Sequence, residues 1–161
     1  MYSQFCILFT RLLIGVRRLT VNLQHLDLID LLSERHLLLR DLLEKQWNDI
    51  SDIKLSNSEW FILARIYKEE QTTVSYITKH VDISRQAVHK SVQRLREKEL
   101  VIVRIHENNK KERLIELTKF GTECYEKNEE LKTELESRIT NQLGAEEVNR
   151  LKGILKSNWG V

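Results

Sequence analysis

A chain of 161 residues with 41% apolar and 31% charged side chains has the make-up of one globular domain with helical extensions, which excludes a collagenous, disordered or multi-pass membrane protein. Proline is absent and glycine occurs only five times, so long helices meet few breakers. The net charge of +2 conceals an asymmetry: between Thr73 and Arg113 ten Lys or Arg stand against five Asp or Glu, while the remainder is acidic by three, a pattern that suits a nucleic-acid-binding centre and equally a solvated basic face.

The chain opens on an apolar run, FCILFTRLLIGV, interrupted by Arg11 and followed by Arg17 and Arg18. It is too short to span a bilayer, and its charge follows the apolar run, where a signal peptide places it in front. Three readings of residues 1–20 stand open: a helix that packs on a partner, a segment lying on a membrane surface, or residues upstream of the true start. Over 21–50 one long helix is predicted. Leu28, Leu32, Leu39, Leu43, Trp47 and Ile50 share a face, and Leu31, Leu38 and Leu42 lie about a quarter-turn away. A helix apolar over two arcs needs two neighbours, one in its own domain and one most economically in a second copy of the chain.

Ser56-Asn57-Ser58-Glu59 has the capping-box form, a hydroxyl with a carboxylate three residues on, so a helix begins near Asn57. It runs to about Glu70 with Trp60, Leu63, Ile66 and Tyr67 on its apolar side. Thr72-Thr73 precedes a short helix, VSYITKH, anchored by Val74, Ile77 and Val81; VDI makes a turn and Ser84 caps the next helix. In ISRQAVHKSVQRLREKELV, at ~100° per residue, Ser84, Val88, Val92 and Leu95 fall in one arc. Gln86, His89, Lys90 and Gln93 project opposite.

LVIVRI, from Leu100 to Ile105, is rich in β-branched residues and reads as a strand, HENNKK as a polar turn, and ERLIEL as the returning strand. Thr118 then caps a helix lined by Phe120, Cys124, Leu131, Leu135 and Ile139, and a last helix after Gly144 carries Val148, Leu151, Leu155 and Trp159. The fold expected is mainly α with a small β-hairpin wing: a winged helix-turn-helix domain over 51–117, flanked by N-terminal (21–50) and C-terminal (118–161) dimerisation helices.

A helix of this size fits the major groove of duplex DNA, where Arg reads guanine and Gln reads adenine. The candidate contacts on it are Ser84, Arg85, Gln86, His89, Lys90 and Gln93. Thr73 and Ser75 on the preceding helix offer hydroxyls to phosphate, and Lys110, Lys111 and Arg113 on the wing suit phosphate or the adjacent minor groove.

From Leu55 to Gly121 the chain resembles the MarR family of bacterial transcription regulators, through LSNSEW, the reading helix with its following strand, and KKERLIELTKFG, in which Leu117, Thr118 and Gly121 form the most telling piece. The resemblance implies an intertwined homodimer on a pseudo-palindromic operator, often a repressor, released by small aromatic compounds or by cysteine oxidation. Two positions depart from the family pattern. Asn109-Lys110-Lys111 stands where an Asp-x-Arg is usual, so the carboxylate that braces the wing arginine is absent, and lysine is a hydrated point charge better suited to phosphate. Glu99 stands where a glycine usually precedes the first strand, which predicts a less sharply turned junction.

Cys6 and Cys124 lie far apart without metal or disulfide spacing, as fits a reducing cytosol. Cys124 reads as a core thiol, and Cys6 is the better redox candidate. His25 and His36 are placed on one helix face but lack a third ligand, so no metal and no cofactor are expected. Trp47, Trp60 and Tyr67 serve either an aromatic effector pocket or the core. No phosphate-cradling loop or nucleophile elbow argues for an enzyme. The expectation is a cytoplasmic, homodimeric repressor of double-stranded DNA, with no membrane partner; the rival is a winged-helix protein-interaction module without operator binding.

Overall fold

The computed structural model describes residues 22–81, 83–106 and 109–160, and at 106 and 109–112 the backbone alone. The segment 1–20 with Cys6, and the start of the predicted helix at Val21, lie outside the described residues. The chain divides into two compact units that meet between Lys45 and Gln46.

In the first unit a 3-10 turn, Leu23–His25, is followed by the start of helix α1, Leu28–Ile50. The single helix expected over 21–50 is therefore broken. Asn22 accepts a hydrogen bond from the Gln24 amide and Asp27 one from the Asp30 amide, at 3.1 and 2.9 Å, while Leu26 between them is extended. Short acceptor side chains that satisfy backbone amides in this way stop one helix and start another. His25 and His36 consequently do not lie on one continuous helix.

The second unit begins with the last turn of α1, where Trp47 packs edge-to-face on Trp60 at 4.9 Å and donates its indole N–H to the Ile53 carbonyl. Helix α2, Asn57–Glu69, starts with the capping box as expected: the Ser56 hydroxyl accepts from the Glu59 amide and the Glu59 carboxylate from the Ser56 amide. Its buried face is Glu59, Ile62, Leu63 and Ile66, an i, i+3, i+4, i+7 set. Tyr67, expected inside, is one step further round and exposed, while Ile62 takes its place in the core.

Strand β1, Gln71–Thr73, had no counterpart in the sequence reading; three residues are too few for a period-2 pattern to register. It pairs with β3 through Thr72 and Ile115. Helix α3, Val74–His80, is capped by Thr73, and helix α4, Arg85–Glu97, by Ser84. The wing is β2, Val101–His106, antiparallel to β3, Asn109–Leu117, with Val103 opposite Ile115 and a bulge between Ile105 and His106. The predicted polar turn over 106–111 is thus shorter than expected, and the sheet is three-stranded in the order β1-β3-β2.

Helix α5, Lys119–Leu143, buries Gly121, Cys124, Asn128, Leu131 and Leu135. Phe120, expected on this stripe, faces out, and glycine takes the tightest position instead. Helix α6, Ala145–Lys156, buries only Val148. The centre of the unit is closed by Ile62, Leu63, Ile66, Ile77, Val88, Leu95, Leu100 and Ile115, each without measurable exposure.

Candidate nucleic-acid interface

Helix α4 is held by one face and open on the other. Val88, Ser91, Val92 and Leu95 are buried, whereas Arg85, Gln86, His89, Lys90 and Gln93 are exposed together, as the spacing predicted. Ser84, placed by periodicity on the packing arc, is exposed, and its hydroxyl accepts from the Ala87 amide at 3.2 Å. Thr73 does the same for Tyr76 at 3.1 Å, and Ser75 is exposed in the first turn of α3. A capping hydroxyl that accepts with its oxygen keeps its own O–H for another partner.

The C-terminal end of α4 is a Schellman turn: the Glu99 amide bonds the Arg96 carbonyl, and the Leu100 amide reaches back to the Leu95 carbonyl at 2.9 Å. Glu99 occupies the left-handed position at φ 60, where glycine is the usual residue. The blunter junction expected from a non-glycine residue is therefore not formed. Leu95 and Leu100, fully buried, make the hydrophobic contact that accompanies the motif and hold Glu99 in its strained φ.

The wing returns to the same point. The Thr118 amide donates to the Leu100 carbonyl, its hydroxyl donates to the Glu99 carbonyl at 2.7 Å, and that hydroxyl oxygen accepts from the Gly121 amide at 2.8 Å. A Cβ on Gly121 would lie 1.9 Å from the Leu100 oxygen, so only glycine fits. The Leu117-Thr118-x-x-Gly121 pattern is thus the joint that fixes the root of the wing to the end of α4.

Lys98 makes a second tie, donating to the Glu59 carboxylate at 2.7 Å and to the Lys54 carbonyl at 2.8 Å. Burial alone would push the Glu59 carboxyl up; hydrogen bonds from Lys98 and from the amide and hydroxyl of Ser56 outweigh it and hold the group below its ordinary value. Sequence reasoning saw Glu59 as a cap and missed this pairing, since 39 residues separate the partners.

On the wing, Arg113 is exposed opposite Ile105. The backbones of Lys110 and Lys111 belong to β3, and their side chains lie outside the described residues. Exposed Arg94 and Arg104 extend the basic surface and were not singled out, although Arg94 follows Lys90 by one helical turn.

The sensor candidates separate. Trp47 belongs to the core and packs on the half-buried Trp60. Tyr67 opens onto a cavity of about 860 Å³ lined also by Phe61, Arg65, Lys68, His80 and Tyr125. The rings of Tyr67 and Tyr125 meet at 4.4 Å, tilted by 36°, and burial with Glu129 nearby pushes the Tyr125 phenol up to about 12. Burial likewise pushes the Cys124 thiol up, the environment of an unreactive core cysteine.

Helix-turn-helix, a hairpin wing in a three-stranded sheet and an exposed polar helix face define a winged helix-turn-helix protein. Residues 52–112 match the model of the MarR family. Solved structures agree with the fold. Wild-type apo MarR from E. coli is 24% identical at a TM-score of 0.69, covering 83% of this chain and 96% of its own. A mutant E. coli MarR complexed with operator DNA is 25% identical at 0.64, with 81% and 97% covered. A mutant S. aureus MepR bound to an oligodeoxyribonucleotide is 20% identical at 0.59, with 81% and 94% covered. A comparison with curated protein sequences gave no match. Among the described residues, no helix is long and apolar enough to cross a membrane.

Proposed function

We propose that the chain binds double-stranded operator DNA through α4 and the wing, acting in the cytoplasm as a homodimeric repressor that a small effector releases. The observation that carries this reading is the α4 face: Arg85, Gln86, His89, Lys90 and Gln93 stand exposed on a helix locked at both ends, and major-groove edges are the surface such side chains complement. Operator-bound MarR and oligonucleotide-bound MepR of like fold support it. Thr73, Ser75, Ser84, Lys110, Lys111 and Arg113 are assigned to phosphate. Exposed Leu151, Ile154, Leu155 and Trp159 on and after α6 support pairing with a second copy, which gives the two-fold symmetry of a pseudo-palindromic site. The cavity beside Tyr67 combines rings with Arg65 and Lys68 and suits a small aromatic effector. The chain works by binding rather than by catalysis.

The test is a fluorescence-anisotropy salt titration against the duplex upstream of its own gene and a scrambled duplex. Preferential binding that weakens steeply with salt is expected. Absence of binding to either duplex at low salt overturns the reading in favour of a protein-interaction module.

A further inference from the structure

Glu97 is the only carboxylate on α4, among Arg85, Lys90, Arg94 and Arg96, and it sits in the last turn, where the helix dipole disfavours negative charge. On a surface that meets phosphate it also opposes binding. At 100° per residue it lies almost in line with Gln86 and Gln93, in the middle of the polar face. Among the described residues, its side-chain partner is Gln93, whose Nε2 donates to Glu97 Oε1 at 3.1 Å.

A carboxylate only accepts, so Glu97 dictates which end of the Gln93 amide faces it. One N–H is spent on Glu97; the second N–H and Oε1 remain side by side. That edge is complementary to adenine N7 and N6 in the major groove, and its order along the groove distinguishes A·T from T·A. We propose that Glu97 is a positioning residue for sequence reading, which fixes the Gln93 amide in one flip so that Gln93 selects adenine on one strand. The proposal rests on the DNA-binding reading above.

Selection from a randomised duplex library, with the full chain and its variants, tests it. The wild-type chain should enrich adenine at a symmetry-related pair of positions, and Gln93→Ala should lose that preference by about tenfold, the size of one bidentate contact. Glu97→Ala should relax the same positions and no others, while raising affinity for random duplex because a negative charge is gone. Glu97→Gln can donate as well as accept, so it no longer dictates the flip and should leave the adenine preference relaxed although the side chain keeps its length. If Glu97→Ala enriches the wild-type sequence unchanged, or relaxes every position equally, the role of Glu97 is overturned while DNA reading stands. If the wild-type chain enriches no sequence, the DNA reading falls and this proposal with it.

Discussion

Helices α4 and α6 are nearly equal in length, 13 and 12 residues, and both are amphipathic, yet their apolar faces meet opposite fates. On α4, Val88 and Leu95 are wholly buried, and the polar face is what remains. On α6 only Val148 is buried, while Leu151, Ile154 and Leu155 stay about half exposed. Periodicity reveals that a face exists; it does not reveal what fills it. The first helix is anchored by its apolar face, and the second leaves most of its apolar face open.

The sharpest way to break this contrast is to truncate one leucine on each. Leu95→Ala removes a fully buried side chain and should cost about 2–5 kcal/mol in thermal or urea unfolding, independent of protein concentration. Leu155→Ala should change the stability of the dilute chain by less than about 1 kcal/mol and instead shift the monomer–dimer equilibrium measured by sedimentation. Equal losses in the dilute chain would mean that the two faces are filled alike.

Gly121→Ala comes next. Its methyl group has no room against the Leu100 carbonyl, and backbone movement at the root of the wing should cost about 2–3 kcal/mol. The same substitution at Gly153, which has open space around it, should instead stabilise α6 by about 0.5–1 kcal/mol. Comparing the two by calorimetry separates a packing glycine from an incidental one.

Glu59→Gln probes the tie between α2 and α4. The carboxyl is held below its ordinary value of 4.5 in the folded chain, so its contribution to stability is fully present above that value and is lost as pH falls through the lower folded one. Glutamine preserves the capping geometry but not the charge, and should cost about 1–2 kcal/mol at neutral pH. It should also flatten the acid limb of a stability–pH curve. An unchanged acid limb would show that Lys98 contributes nothing through Glu59.

What the residues disclosed in advance follows the range of the forces involved. Capping boxes, hydroxyl caps and apolar arcs act within a few residues, and Ser56, Ser84 and Thr118 all cap where local spacing placed them, while Thr73 caps the short helix it was expected only to precede. The exposed α4 face was legible for the same reason. The Lys98–Glu59 pair, the β1–β3 ladder and the close approach of Gly121 to Leu100 join residues 20 or more apart in sequence, where one sequence alone carries no signal. The flip of Gln93 is an intermediate case: Gln93 and Glu97 stand one turn apart, but their hydrogen bond becomes visible only with the side chains in place.

Glu99 carries the smallest expected effect and the most specific one. Its φ of 60 sits in the left-handed region, where a Cβ costs about 1–2 kcal/mol that glycine avoids. Glycine gives back part of this by loosening the unfolded chain, roughly 0.4–1 kcal/mol. Glu99→Gly should therefore stabilise the fold by about 0.5–1 kcal/mol, a rise of a few degrees in melting temperature for a chain of this size. Glu99→Ala keeps the Cβ and removes only a carboxylate that lies unfavourably at a helix C-terminus, so its gain should be a few tenths of a kcal/mol at most. If alanine stabilised as much as glycine, charge and not backbone conformation would be what the Leu95–Leu100 contact and the Thr118 hydroxyl work against at this turn.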